Sequence, residues 1–355
     1  MADWTSTMQQ TFEYYTVDPI TWKDSKKLMN VIGSNINRDL NAETLGSATI
    51  DVSDPVDECY VRIYLVIIQN GVREKHPLGT FLVQTPSYSF DGKSRTISMD
   101  AYTPLLELKE NQPPLGYSVE EGQNIIKNAY EVVNNHTRAP VIQTRSEQTL
   151  YTDFVANTGD TWISFVYDLL ANANYTLGLD ELGRIIFNPK QDTESLRPVW
   201  TYTDDNSSIL YSDLDIDHDL YGIPNVVEVI YSSPSGYRYG RVVNDDPDSP
   251  ISTVNRGREI IYRDTSPNVI SNPTQKQIEE YAKQLLRDLS CLEYKISYTH
   301  GYCPVRIGDC IRLQYNRAGL NGVVAKVVSQ SINCSTGCSV TETAIFTTRL
   351  WGDSK

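Results

Sequence analysis

The sequence predicts a mainly β protein with an α+β middle: two antiparallel β-barrel domains plus a small α+β domain. Three observations predict it. Two long stretches alternate apolar and polar residues and are punctuated by Asn-Gly and Asp-Gly turns. Between them lie two segments whose apolar residues follow the helical repeat. Neither β stretch has the strand–helix–strand alternation that a parallel sheet needs. The expected domains are residues 1–112, 113–199 and 200–355, in keeping with roughly 100–200 residues per domain.

In the first domain, Thr11–Val17 and Thr21–Lys23 open the β region. Ser47–Val52 (SATIDV) alternates as a strand with one buried face should. Cys59–Ile68 (CYVRIYLVII) is a longer apolar strand interrupted by Arg62. Asn70-Gly71 then closes a hairpin, because both residue types tolerate positive φ. Pro77–Gln84 is the return strand, and Asp91-Gly92 turns the chain into Arg95–Tyr102.

The middle opens at Asn111-Gln112-Pro113-Pro114, a break in the pattern. Ser118 and Glu121 read as a capping box ahead of a helix with Ile125, Ile126, Ala129, Tyr130 and Val133 on one face. A second helix runs from about Asp160 to Ala173, and Tyr175–Leu179, the turn Asp180–Gly183 and Arg184–Asn188 form a hairpin. From Val199 the chain is β again. Leu210–Leu220 alternates sharply, with Asp213, Asp215, Asp217 and Asp219 on one face. Asn225–Tyr231 and Tyr237–Val243 flank a Pro-Ser-Gly turn, Asp245–Pro250 is a loop, and Pro273–Leu289 is a helix. The tail alternates again: a turn at Arg306–Asp309, strands Cys310–Tyr315 and Val323–Ile332 about Asn321-Gly322, then a loop Cys334–Cys338 into Val340–Leu350.

Composition narrows the function. Hydrophobic residues make up 40% and charged residues 21%, an ordinary globular balance. No apolar run approaches the ~18–20 residues needed to span a bilayer, and MADWTSTMQQ shows no secretory pattern, so assembly in the cytoplasm without membrane contact is expected. The net charge of −14 argues against gripping nucleic acid through phosphates. It fits a surface that repels DNA and equally an ordinary acidic surface. The 23 Tyr against 7 Phe suit half-exposed strands or protein–protein contacts.

No constellation for chemistry emerges, so no catalytic, cofactor-binding or metal-binding residue and no cofactor is expected. The Asp213–Asp219 run fails the EF-hand pattern in both registers, with His218 or Leu220 where Gly is needed. His76, His136, His218 and His300 are scattered. His300 and Cys303 are neighbours in a turn, which accounts for their proximity without chemistry. Cys303, Cys310, Cys334 and Cys338 lack zinc-knuckle spacing. Free, partly buried thiols are expected for all six cysteines, Cys59 and Cys291 included, with Cys334–Cys338 the one plausible disulfide.

Three stretches taken in order resemble the hub proteins of phage-type tails: contractile-tail baseplate hubs, the late control gene D proteins, and related injection machines. The first is Asn70-Gly71, Pro77-Leu78-Gly79-Thr80-Phe81, Asp91-Gly92 and the strand to Tyr102. The second is Gly159-Asp160-Thr161 with Asp180-Glu181-Leu182-Gly183-Arg184-Ile185. The third is Asn225-Val226-Val227-Glu228-Val229, an acidic Pro-containing loop, a helix with Tyr281-Ala282, and hairpins from Ile307-Gly308-Asp309. The resemblance implies two tail-tube-like barrels per chain and a homotrimer that makes a pseudo-sixfold ring. That ring would join a hexameric tail tube protein to a trimeric central spike protein among other baseplate proteins. It also implies a virion location and a role in viral genome ejection, with DNA passing through an acidic lumen unbound. A distal-tail or tail-tip protein of a non-contractile tail, and a tail-associated cell-wall hydrolase, are the competing expectations.

Overall fold

The period-two alternation of the first β region becomes a run of strands in a computed structural model of the chain: β1 (Gln9–Val17), β2 (Asp24–Leu28), β3 (Val31–Asp39), β4 (Gly46–Val52), β5 (Tyr60–Gln69), β6 (Val72–Phe90) and β7 (Arg95–Tyr102). The structure describes residues 2–90, 92–93, 95–191, 196–233, 236–267 and 273–352. Asn70 and Gly71 have φ of 51° and 77°, the left-handed pair that a two-residue hairpin requires, and they fold β6 back on β5 with Gln69 opposite Val72. Asp91 of the second expected turn, and Pro234 and Ser235 of the third, lie outside the described residues.

The middle contains α1 (Leu106–Lys109), β8 (Ser118–Val119), α2 (Ile125–His136), β9 (Phe154–Val155), α3 (Trp162–Ala171), β10 (Tyr175–Leu179) and β11 (Ile185–Pro189). The capping box expected at Ser118 is not there: Ser118 pairs with Val155 in a short ladder, and Asn124 caps α2 by accepting from the Lys127 amide. Any Ser followed by Glu three residues later imitates the box, and here backbone pairing took the segment. α3 does open on a capping box, Thr161 with Ser164. Its Phe165 and Leu169 pack with Val133 and Ile185 in one apolar core.

The remainder is β12 (Trp200–Thr203), β13 (Leu210–His218), β14 (Val226–Ser233), β15 (Gly236–Val243), α4 (Thr253–Arg256), β16 (Ile261–Asp264), α5 (Gln275–Leu289), β17 (Cys291–Gly301), β18 (Cys310–Tyr315), β19 (Leu320–Asn333) and β20 (Ser339–Arg349). Asn321-Gly322 is not a hairpin tip. The reversal is the 3-10 turn Asn316–Ala318 with Gly319 at φ 78°, which leaves Asn321 paired with Gln314 inside β19.

By contact the chain divides into two units, Met1–Leu214 with Ser297–Ala344, and Asp215–Ile296 with Ile345–Lys355. In the first unit the sheet runs β2-β1-β5-β6-β7-β4-β3-β19, with β18 on β19 and β12 parallel to β18. The two β regions are therefore joined: β3 pairs with β19 from Asn35↔Asn333 to Asp39↔Ser329. Separate sheets were expected, and β3 was not anticipated at all. The pairing places Ile36 opposite Ile332, and both are buried, so the joint is an apolar seam that gives two edges a partner.

In the second unit, β14 pairs antiparallel with β15 and parallel with β16. Thr274 caps α5 with a capping box, and Ile278, Ala282 and Leu286 cover Val227 and Val229. Gly240 permits this closeness, since a Cβ there would stand 2.9 Å from Ile278 Cγ2. Strands β14–β16 were expected in the second barrel; they instead form this two-layer unit with α5.

Candidate functional site

Residues of catalytic type do converge once in the first unit. Strands β12, β17, β19 and β20 aim Tyr202, Tyr298, His300, Gln330 and Glu342 into one buried polar cluster. Glu342 Oε2 accepts from the Tyr298 hydroxyl at 2.7 Å and the Tyr202 hydroxyl at 3.3 Å. Its Oε1 accepts from Gln330 Nε2 at 2.5 Å and lies 3.3 Å from His300 Nε2. The cluster continues through Gln330 Oε1 to Arg38 on β3 at 3.0 Å.

Cys303 Sγ lies 3.9 Å from His300 Nδ1, so a thiol, an imidazole and a carboxylate stand in series. The order does not make a nucleophile. Nδ1 is turned to the Gly301 carbonyl at 2.6 Å. His300 and Glu342 are 0% exposed and Cys303 is 2% exposed, so no polymer can reach the thiol. Burial pulls the imidazolium down, and bonds to Cys303 and Glu342 overcome it, raising His300 to about 10. Burial likewise pushes Glu342 up, and the His300, Tyr298 and Gln330 donors leave it below its ordinary value. The arrangement is a satisfied ion pair within a packed core, whose role is to hold strands together.

A second buried charge ties the first β region to the middle. Arg62 donates to Thr80 Oγ1 at 2.8 Å, Asp24 Oδ1 at 2.9 Å and the Leu182 carbonyl at 3.1 Å. The same carbonyl accepts from Trp22 Nε1 at 2.8 Å and Thr80 Oγ1 at 2.9 Å. Leu182 sits in the β10–β11 turn, so this turn plugs into β5 and β6. Beside it is a cleft of about 710 Å³. Its acidic groups are engaged within the chain, Glu181 with Arg306, Asp180 with Arg184, and Asp309 with the Arg306 amide.

The sequence candidates disperse. Asp213, Asp215 and Asp217 lie exposed on β13, and Asp219 just beyond it accepts from the Tyr221 amide. None of the six cysteines is in a disulfide, and burial raises the Cys334 thiol to about 11. His76 stands beside Glu74, His136 stacks on Trp162, and His218 lies by Tyr294. Among the described residues, no cluster of His, Cys, Asp and Glu could hold a metal ion, and no helix is long and apolar enough to cross a membrane.

No protein-family model and no curated protein matches this chain. Solved structures do. A tail protein from Neisseria meningitidis MC58 aligns with a TM-score of 0.64 at 13% identity, over 95% of this chain and 97% of that one. The 43 kDa tail protein of prophage MuSo2 from Shewanella oneidensis aligns with a TM-score of 0.62 at 13% identity, over 94% of this chain and 98% of that one. A chain of the PdpA–VgrG complex aligns with a TM-score of 0.57 at 10% identity, over 96% of this chain and 65% of that one. Over nearly its whole length the chain has the fold of phage-type tail proteins.

Proposed function

We propose that this chain is the structural hub of a phage or phage-like tail. Three copies form a pseudo-sixfold ring that joins a hexameric tube to a trimeric central spike. The observation that carries this reading is a fold shared with tail proteins over 94–95% of the chain, although its two β regions join through β3 and β19 where separate barrels were expected. Two tube-like regions per chain and three chains make six, the number a hexameric tube presents. The net charge of −14 suits a ring through which DNA slides without sticking. The role we propose is non-enzymatic: the thiol–imidazole–carboxylate series found among the described residues is sealed in the core, and the chain works by shape and adhesion in the tail baseplate.

Co-expression with the tube and spike proteins tests this. A trimer that co-purifies with both, and shows threefold rings by electron microscopy, is expected. A chain that stays monomeric or forms even-numbered rings, with and without the tube protein, overturns it. So does peptidoglycan hydrolysis that a single substitution abolishes.

A further inference from the structure

The strand path of the large sheet ends on two open edges, β2 and β13. β2 pairs on one side only, with β1, and β13 pairs on one side only, with β17. An open edge offers unpaired amides and carbonyls and is a template for another chain. On β13 the Ser212 carbonyl is reached by the Tyr315 hydroxyl at 3.5 Å; from Asp213 onward the residues are mostly exposed.

The two edges carry opposite charge. β2 and its entry present the exposed Lys23 and Lys26, while Lys27 pairs with Glu13 and Asp24 is turned to Arg62 and Tyr64. β13 presents Asp213, Asp215 and Asp217. Each edge is flanked by exposed apolar side chains: Ile20 is 93% and Met29 81% exposed beside β2, and Tyr211 is 48% and Tyr221 91% exposed beside β13. Apolar side chains exposed at an edge add buried area when a partner strand covers them.

We propose that β13 of one copy adds to β2 of the next, head to tail, as the contact that closes the ring. This rests on the ring-forming role proposed above and names the surfaces that make it. Like charge disfavours β2 meeting β2 and β13 meeting β13, whereas β13 against β2 sets Asp opposite Lys. A contact between two different surfaces repeats in one direction and closes as a cyclic ring, not as a twofold dimer. The charges thus select the direction, while backbone bonds and the flanking Ile20, Met29, Tyr211 and Tyr221 supply adhesion.

Charge exchange on the full chain tests this, with mass measured by light scattering and folding checked by circular dichroism. One variant carries D213K, D215K and D217K; the other carries K23E and K26E. Each alone should associate on the order of 10–100-fold more weakly than wild type, since several cross-strand pairs turn repulsive. Both sets in one chain should restore the trimer. An equimolar mixture of the two single-edge variants should give only even-numbered or open assemblies, because each accepts only the other. A wild-type trimer that both folded variants keep overturns the edge pairing and leaves the trimeric hub standing. A wild-type chain that is monomeric at its highest soluble concentration overturns the pairing, while capture of tube and spike proteins still judges the hub reading. Loss of tube capture with unchanged self-association assigns the edges to the tube and likewise overturns the pairing.

Discussion

Glu342→Gln isolates the ion pair at the centre of the buried cluster. The amide keeps the shape and can still accept from Tyr298 and Tyr202, which lie 2.7 and 3.3 Å from Oε2. What it removes is the charge facing His300 Nε2 at 3.3 Å and, where the amide nitrogen replaces Oε1, the acceptor for Gln330 Nε2. Leaving a buried charge without its partner costs about 3–5 kcal/mol, a large share of the ~5–15 kcal/mol that holds a domain folded. The imidazole can escape that cost by losing its proton, so the loss depends on pH. In the wild type, His300 is raised from 6.5 to about 10. Its contribution is complete below the unfolded value and fades as pH climbs from 6.5 toward 10. Glu342 is lowered, so its contribution is present above its unfolded value of 4.5 and is lost as pH falls through its folded value. The wild type therefore gains most from the pair between those two unfolded values. In the variant, His300 loses the raising effect of Glu342 and keeps that of Cys303 against burial, so its folded value falls below that of the wild type and the penalty shrinks as pH rises.

The expected penalty is about 3 kcal/mol near the acidic side of neutrality, shrinking to about 1 kcal/mol on the alkaline side, where a neutral imidazole can accept from the new amide. Urea unfolding of both proteins, followed by tryptophan fluorescence across the range, reads the difference directly. A penalty below about 1 kcal/mol at the acidic end, or one that does not change with pH, would refute the ion-pair account.

Two further changes probe the plug between the first β region and the middle. Arg62→Leu fits the volume but strips Asp24 and the Leu182 carbonyl of a donor, and should cost about 2–4 kcal/mol in urea melts, because Asp24 keeps Tyr64 and partial solvent. Gly183→Ala places a Cβ 2.6 Å from Thr80 Cβ at a φ of 73°, and should cost about 1–3 kcal/mol. An Arg62→Leu protein as stable as wild type would show that the turn is not held by that guanidinium.

The strands with clean alternation and a strong turn were legible. SATIDV, the Asn70-Gly71 hairpin and the amphipathic α5 all fold as their patterns predict. β3 was not, because VIGSNINRD offers few apolar positions, and what makes it a strand is its two neighbours, β4 and β19. Arg62 read as an interruption of an apolar run; only tertiary packing supplies Thr80, Asp24 and Leu182 as its partners. The buried cluster was hidden for the same reason. Tyr202, His300, Gln330 and Glu342 are separated by up to 140 positions in the chain, and no spacing rule links them. Sequence did expose the His300–Cys303 adjacency, which is a true contact at 3.9 Å, but not the carboxylate that completes it.

The cluster's position explains why a core would hold a charge at all. Replacing a buried ion pair with apolar residues often leaves stability unchanged or higher, so adhesion alone does not account for it. Its hydrogen bonds run from Arg38 on β3 to Gln330 on β19, then to Glu342 on β20, and on to Tyr298 on β17 and Tyr202 on β12. That path crosses the seam where the two β regions meet. A slip of one residue along β3 and β19 would turn Gln330 and Ile332 together to the opposite face. Arg38 would then lose Gln330, and Glu342 would lose a donor, with both left desolvated. Apolar contacts across Ile36 and Ile332 make the seam sticky; the charged network makes one register cheaper than its neighbours. For a chain proposed to repeat around a ring, that matters more than stability, because an error in register within one copy would displace every edge it offers to the next.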